Sequence, residues 1–196
     1  MKNKRKFSLR QLCVLLGIGL MAAAVAVTVA WQWGMNIWQE KAEDYVQTIR
    51  TLIPEPQGAL LEARMDNTMP ALSIDETDFV GLLEMPGYGL SVPVGEEWGK
   101  VSRYPCRLDG SIYDRTMQVG GTSQKGQFDF YREIELGDAV YFTDMEGNRF
   151  SYQVTGIRYE DHPDQEALHR EEGALTLLIK NIYSFDYIVV FCNDPA

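Results

Sequence analysis

Residues 11–39 contain no Asp, Glu, Lys or Arg, and Lys2, Lys4, Arg5, Lys6 and Arg10 stand just before them. The core of this run, residues 12–30, is long enough to cross a bilayer as one helix, which takes about 20 apolar residues. Basic residues ahead of a span predict a cytoplasmic N-terminus and an exported remainder. Trp31, Trp33 and Trp38 follow the apolar core, where indole rings favour the outer interface. A cleaved signal peptide is the competing reading, with small residues at 22–30 as a cleavage region. The run is long for a signal sequence, whose apolar part spans roughly 7–15 residues, so an uncleaved anchor is favoured.

Charge divides at this segment. All 28 acidic residues follow it, against 13 of the 18 basic ones, so the remainder carries −15. Such a surface repels nucleic acid and anionic lipid. It reads as a solvated exterior, with attraction of a cationic partner as the other reading. Of three cysteines, Cys13 lies in the span. Cys106 and Cys192 could pair in an oxidising compartment, but sequence separation does not bring them together, and two buried thiols is the favoured reading.

Apolar residues Ile37, Trp38, Tyr45, Val46, Ile49 and Leu52 recur at helical spacing, predicting an amphipathic stalk or the outer turns of the same long helix. Residues 53–75, with Pro54, Pro56, Gly58 and Pro70, read as linker. Strands are expected over 79–85, 90–94, 117–124, 139–144, 149–159, 175–179 and 187–191, and a loop over 103–114. Glu146-Gly147-Asn148 between two β runs predicts a tight hairpin. The acidic stretch 161–173 reads as loop.

The final stretch, LTLLIKNIYSFDYIVVFC (175–192), resembles the end of a sortase domain, the surface transpeptidases of mainly Gram-positive bacteria. There L-T-L-x-T-C leads through a short loop to an Arg opening the last strand. FVGLLEMPGYGLSVPV (79–94) resembles the family's opening strands, and RYPCRLDGSIYD (103–114) a segment of its class B-like branch. MQVGGTSQ (117–124) resembles the strand ending in A-G-H-N. Phe128, Phe130, Ile134 and Leu136-Gly137-Asp138 resemble its following helix and turn.

The resemblance implies a mostly β fold: a small closed sortase-like barrel with short helices over 78–196. Ahead of it come a basic tail (1–10), a transmembrane helix (11–33), and a helical stalk and linker (34–77). It also implies that Gly121 stands at the catalytic His position, Thr122 at the Asn, Ile179 at the Thr, Lys180 at the nucleophilic Cys and Tyr187 at the Arg. Acyl transfer of this kind needs a thiolate, a proton-moving His and a cationic hydrogen-bond donor. None of these three side chains replaces its counterpart. A lysine nucleophile would end as a stable amide. His162 and His169, in the acidic loop, lack the spacing of a shared helical metal face, and Ser123 and Ser184 have no base nearby in sequence. Gly120-Gly121 lacks the remaining residues of a phosphate loop. No cofactor or metal is implied.

The expectation is an inactive, membrane-anchored binding domain. Its candidate groove is Gly120, Gly121, Thr122, Ile179, Lys180, Asn181 and Tyr187, and its candidate partners are a peptide, an active sortase or another surface protein. The alternatives are an active cysteine transpeptidase with a displaced site, and a structural spacer.

Overall fold

A computed structural model describes residues 9–55, 57–58, 67–161 and 173–195. It divides into two bodies, Met1–Ile37 and Trp38–Ala196. One helix, α1 (Leu9–Leu52), begins in the first and ends in the second. In the first body, side chains from 13 to 33 are exposed throughout. A bare apolar helix of this length is a candidate membrane span.

The second body is mostly β. Its strands are β1 (Gln57–Gly58), β2 (Leu72–Ile74), β3 (Thr77–Met85), β4 (Leu90–Gly95), β5 (Cys106–Asp109), β6 (Met117–Thr122), β7 (Ala139–Asp144), β8 (Asn148–Glu160), β9 (Leu175–Lys180) and β10 (Tyr187–Asn193). Eight of them close a ring in the order β3-β4-β5-β6-β9-β10-β8-β7, with β7 pairing back onto β3. β1 adds to β8, and β2 to β3. Pairing is antiparallel around the ring except for β4–β5 and β6–β9.

Alternation sorts the residues of each strand to opposite faces. Val119, Leu175, Leu177, Ile179, Ile188, Val190, Phe150, Tyr152 and Val154 belong to the interior cluster, with Phe128 and Phe142. Two smaller clusters lie outside it. In one, Val46, Ile49 and Ile53 of the helix end pack on Phe79, Leu82, Tyr104 and Cys106. In the other, Leu178, Val189 and Phe191 pack with Leu108 and Tyr187.

The helix stripe that packs is Ala42, Val46, Ile49 and Ile53, while Ile37 and Leu52, expected on it, are exposed. Arg50 fastens this end: its guanidinium donates to Glu84 at 2.6 Å and to Ser91 Oγ at 3.0 Å. Glu84 also pairs with Arg149 at 2.7 Å.

Three local expectations are corrected. Residues 103–114 contain β5, the strand that closes the ring. The stretch 53–75 supplies β2, and its Met69 is in the core. Residues 128–138 form successive turns rather than a helix, with Tyr131 N–H donating to Phe128 O at 3.1 Å and Glu133 N–H to Phe130 O at 2.7 Å. These three-residue steps bury Phe128, Tyr131 and Ile134 on one side.

The expected β7–β8 hairpin is present. Its turn is organised by Asp144, a fully buried carboxylate that accepts from Tyr113 Oη (2.7 Å), the N–H groups of Glu146 and Asn148 (both 2.9 Å) and Asn148 Nδ2 (2.8 Å).

Candidate functional site

The candidate positions lie at one end of β6, β9 and β10. Lys180 pairs with Tyr187 across β9–β10, and with Thr122 across β6–β9. Directly paired residues share a face, so Thr122, Lys180 and Tyr187 form a row on the outer side of the barrel. Gly121 instead pairs with Ile179, on the interior side. The structure therefore brings the three sortase-pattern positions to one place, but only Lys180 and Tyr187 face the same way.

Both glycines are covered by rings. A Cβ at Gly120 would lie 2.0 Å from the Trp98 indole, and one at Gly121 would lie 2.4 Å from the Phe128 ring. Trp98 opens a short 3-10 turn, Trp98–Lys100, which lays the indole on the strand. The glycines thus make room for the close approach of the two rings.

The polar groups here satisfy one another. Gln127 Oε1 accepts from Thr122 N–H (2.9 Å) and Thr122 Oγ1 (3.2 Å), and its Nε2 donates to Val101 O (3.1 Å). Ser123 N–H donates to Lys180 O at 3.0 Å, and Ser123 Oγ accepts from Ile182 N–H at 3.1 Å. Asn181 Nδ2 donates to Tyr131 Oη at 3.0 Å, and its Oδ1 accepts from Tyr183 N–H at 3.0 Å.

Gly120, Gly121, Thr122, Ile179 and Asn181 are all buried, while Lys180 and Tyr187 are half-buried. The Lys180 ammonium lies 5.8 Å from the Phe185 ring centre and 5.9 Å from that of Tyr187. An ammonium beside aromatic rings is attracted by their faces.

Sequence reasoning missed Trp98, Phe128, Gln127, Tyr131 and Phe185. The signal for the two covering rings was Gly120-Gly121 itself: paired glycines in an apolar strand mark close approach by something bulky.

The second body's two thiols are free and buried. Cys106 faces the helix cluster, where its Sγ lies 3.4 Å from Tyr104 O, and Cys192 belongs to the interior cluster. Burial pushes the Cys106 thiol up to about 12 and the Cys192 thiol up as well. Reactive cysteines are the opposite case, exposed and electropositive with a lowered pKa. His162 and His169 lie outside the described residues. Among the described residues, no three His, Cys, Asp or Glu side chains are arranged to hold a metal.

These thiols set an alkaline limit. Below the unfolded value of about 8.5 both states are protonated and the stability is fully present. Above it the unfolded chain loses thiol protons that the folded chain keeps, so stability falls as pH rises towards the raised folded values. From pH 8.5 to 10, each thiol is expected to remove stability at a rate that rises towards a limit of about 1.4 kcal/mol per pH unit. Urea midpoints across that range check it: Cys106→Ala should flatten the decline, and an unchanged slope would contradict the burial effect.

Among solved structures the chain is similar to sortase A from Corynebacterium diphtheriae, at 14% identity and a TM-score of 0.52 over 92% of this chain and 95% of that one. It is similar to sortase C-1 from Actinomyces oris (formerly Actinomyces naeslundii), at 16% and 0.52 over 81% and 99%. It is likewise similar to Streptococcus agalactiae sortase C1, at 18% and 0.52 over 83% and 90%.

The fold is sortase-like.

No protein-family model matches the chain, and no curated protein sequence does. At these identities the likeness establishes architecture, not chemistry. The sortase-like barrel is accompanied by an N-terminal helix long and apolar enough to cross a membrane.

Proposed function

We propose that this chain is a membrane-anchored, catalytically inactive sortase-like protein that acts by binding a peptide, an active sortase or another surface protein. Its basic tail is cytoplasmic and its barrel lies outside the cell. One observation carries the reading: both thiols of the barrel body are fully buried, and the row Thr122–Lys180–Tyr187 contains none. The aromatic cover over Gly120 and Gly121 supports it, because it occupies the space an imidazole would need. Loss of triad members removes several orders of magnitude of rate, and here all three positions carry residues without the chemistry. Placement in a class B-like branch rests on residues 103–114 alone; the structural neighbours described above are of other classes.

The test uses the full chain in nanodiscs, with peptide cleavage and transfer to an amine followed by mass spectrometry. No turnover above the protein-free control is expected. Turnover that Lys180→Ala abolishes would overturn the reading.

A further inference from the structure

The end of α1 does not lie flush on the barrel. A cavity of about 200 Å³ opens between this end, with the residues just after it, and strands β3, β7 and β8. Strand register builds its floor. Thr143 pairs with Leu82 across β3–β7 and with Arg149 across β7–β8, so the three side chains share the outer face. Leu82 belongs there to the same apolar cluster as Ile53. Thr143 is only 1% exposed, and its hydroxyl has no hydrogen-bond partner. Burying a hydroxyl unpaired is costly, and the cavity that Thr143 lines is where a partner fits.

The charged groups of the lining point to that partner. Arg50 and Arg149 both line the cavity and both bond to Glu84, at 2.6 and 2.7 Å, so one carboxylate serves two cations. Arg50 also donates to Ser91 Oγ, and Arg149 lies 4.3 Å from the Tyr141 ring centre. A guanidinium has more N–H donors than these bonds engage. Two features oppose an anion. Glu55, the second carboxylate of the lining, is exposed, and α1 ends here with partial negative charge. They disfavour a dianion, while a single negative charge matches the cation that Glu84 leaves over. The rest of the wall, Ile53, Pro54 and Leu82, is apolar. The volume falls below the roughly 300–1,000 Å³ of sites for drug-sized ligands.

We propose that this cavity binds a monocarboxylate with a short apolar tail. The carboxylate accepts from Arg50, Arg149 and the Thr143 hydroxyl, and the tail lies against Ile53, Pro54 and Leu82. The site occupies a different arc of the ring from Thr122, Lys180 and Tyr187, and it does not depend on the barrel being inactive.

The experiment titrates sodium butyrate calorimetrically into the full chain in nanodiscs of neutral phosphatidylcholine, with empty nanodiscs as blank. Butylammonium chloride and inorganic phosphate are the controls. Saturable butyrate binding is expected, with neither control competing for it at equal concentration. Thr143→Val keeps the shape and removes the hydroxyl; it should raise Kd for butyrate by about tenfold or more, while Tm without butyrate stays level or rises. Glu55→Gln removes an exposed opposing charge and should lower Kd by about two- to fivefold. Acetyl-trialanine and its C-terminal amide separate two sources of the same group. Binding of the free-acid peptide but not its amide assigns the carboxylate to a chain end, and binding of butyrate alone assigns it to a free acid. No saturable butyrate binding, equal binding of butylammonium, or phosphate binding tighter than butyrate would overturn the proposal. So would an unchanged Kd in Thr143→Val, or a lower Tm in that variant, which would give the hydroxyl a partner within the fold. Peptide turnover by the chain would retire the inactive reading and leave a positive butyrate result standing.

Discussion

Gly121→Ala should destabilise the barrel by about 1–3 kcal/mol, and Gly121→His by more. The added Cβ would lie 2.4 Å from a Phe128 ring carbon and 2.8 Å from a second, and that ring is fully buried. The ring cannot yield without displacing the interior cluster to which it belongs. An imidazole would bring more bulk and a polar ring needing partners. For a domain of this size each kcal/mol shifts Tm by roughly 2–4 °C, so alanine alone should lower Tm by several degrees. Phe128→Ala should make Gly121→His less costly than it is in the wild-type background, with a coupling of about 0.5–3 kcal/mol. Thermal unfolding of the two single variants and the double variant measures this. If Gly121→His is tolerated without loss, the position is open and the closed-site account fails.

Asn181→Ala should cost about 2–4 kcal/mol and loosen the loop that follows it. The side chain serves the buried Tyr131 hydroxyl and the Tyr183 N–H, each at 3.0 Å. Removing it leaves both without that partner, and an unsatisfied buried group costs about 1–3 kcal/mol. Hydrogen exchange reads the local effect: amides 183–186 should lose protection while those of β8 keep theirs. Uniform loss across the barrel would instead mean that Asn181 supports the whole fold and not the loop in particular.

The apolar segment and most of the ring strands were legible because each carries its own pattern. Residues 11–39 lack charge. β9 and β10 are compact apolar runs bounded by turn residues. The β7–β8 turn carries Gly147, at φ +84°, and a buried Asp144. β5 was hidden because it is four residues long between Pro105 and Gly110, a context that locally reads as loop. It becomes a strand only because β6 and the end of β4 pair with it. In 128–138, apolar spacing suited a helix, yet repeated three-residue steps serve consecutive turns equally well.

At the site, Lys180 and Tyr187 came from strand-end positions that pairing then placed opposite each other. The inward direction of Gly121 depends on register with β9, which no local pattern states. Trp98 and Phe128 lie more than five residues away in sequence from the glycines they cover. Only the glycine pair hinted at them.

The central claim, a sortase-like barrel whose reactive places are closed and chemically empty, is tested most directly by trapping. The full chain is incubated with a pool of acyl-donor peptides, and the intact mass is read for a covalent acyl adduct. The account predicts an unmodified chain. An adduct that maps to Cys106, Cys192 or Lys180 would contradict it.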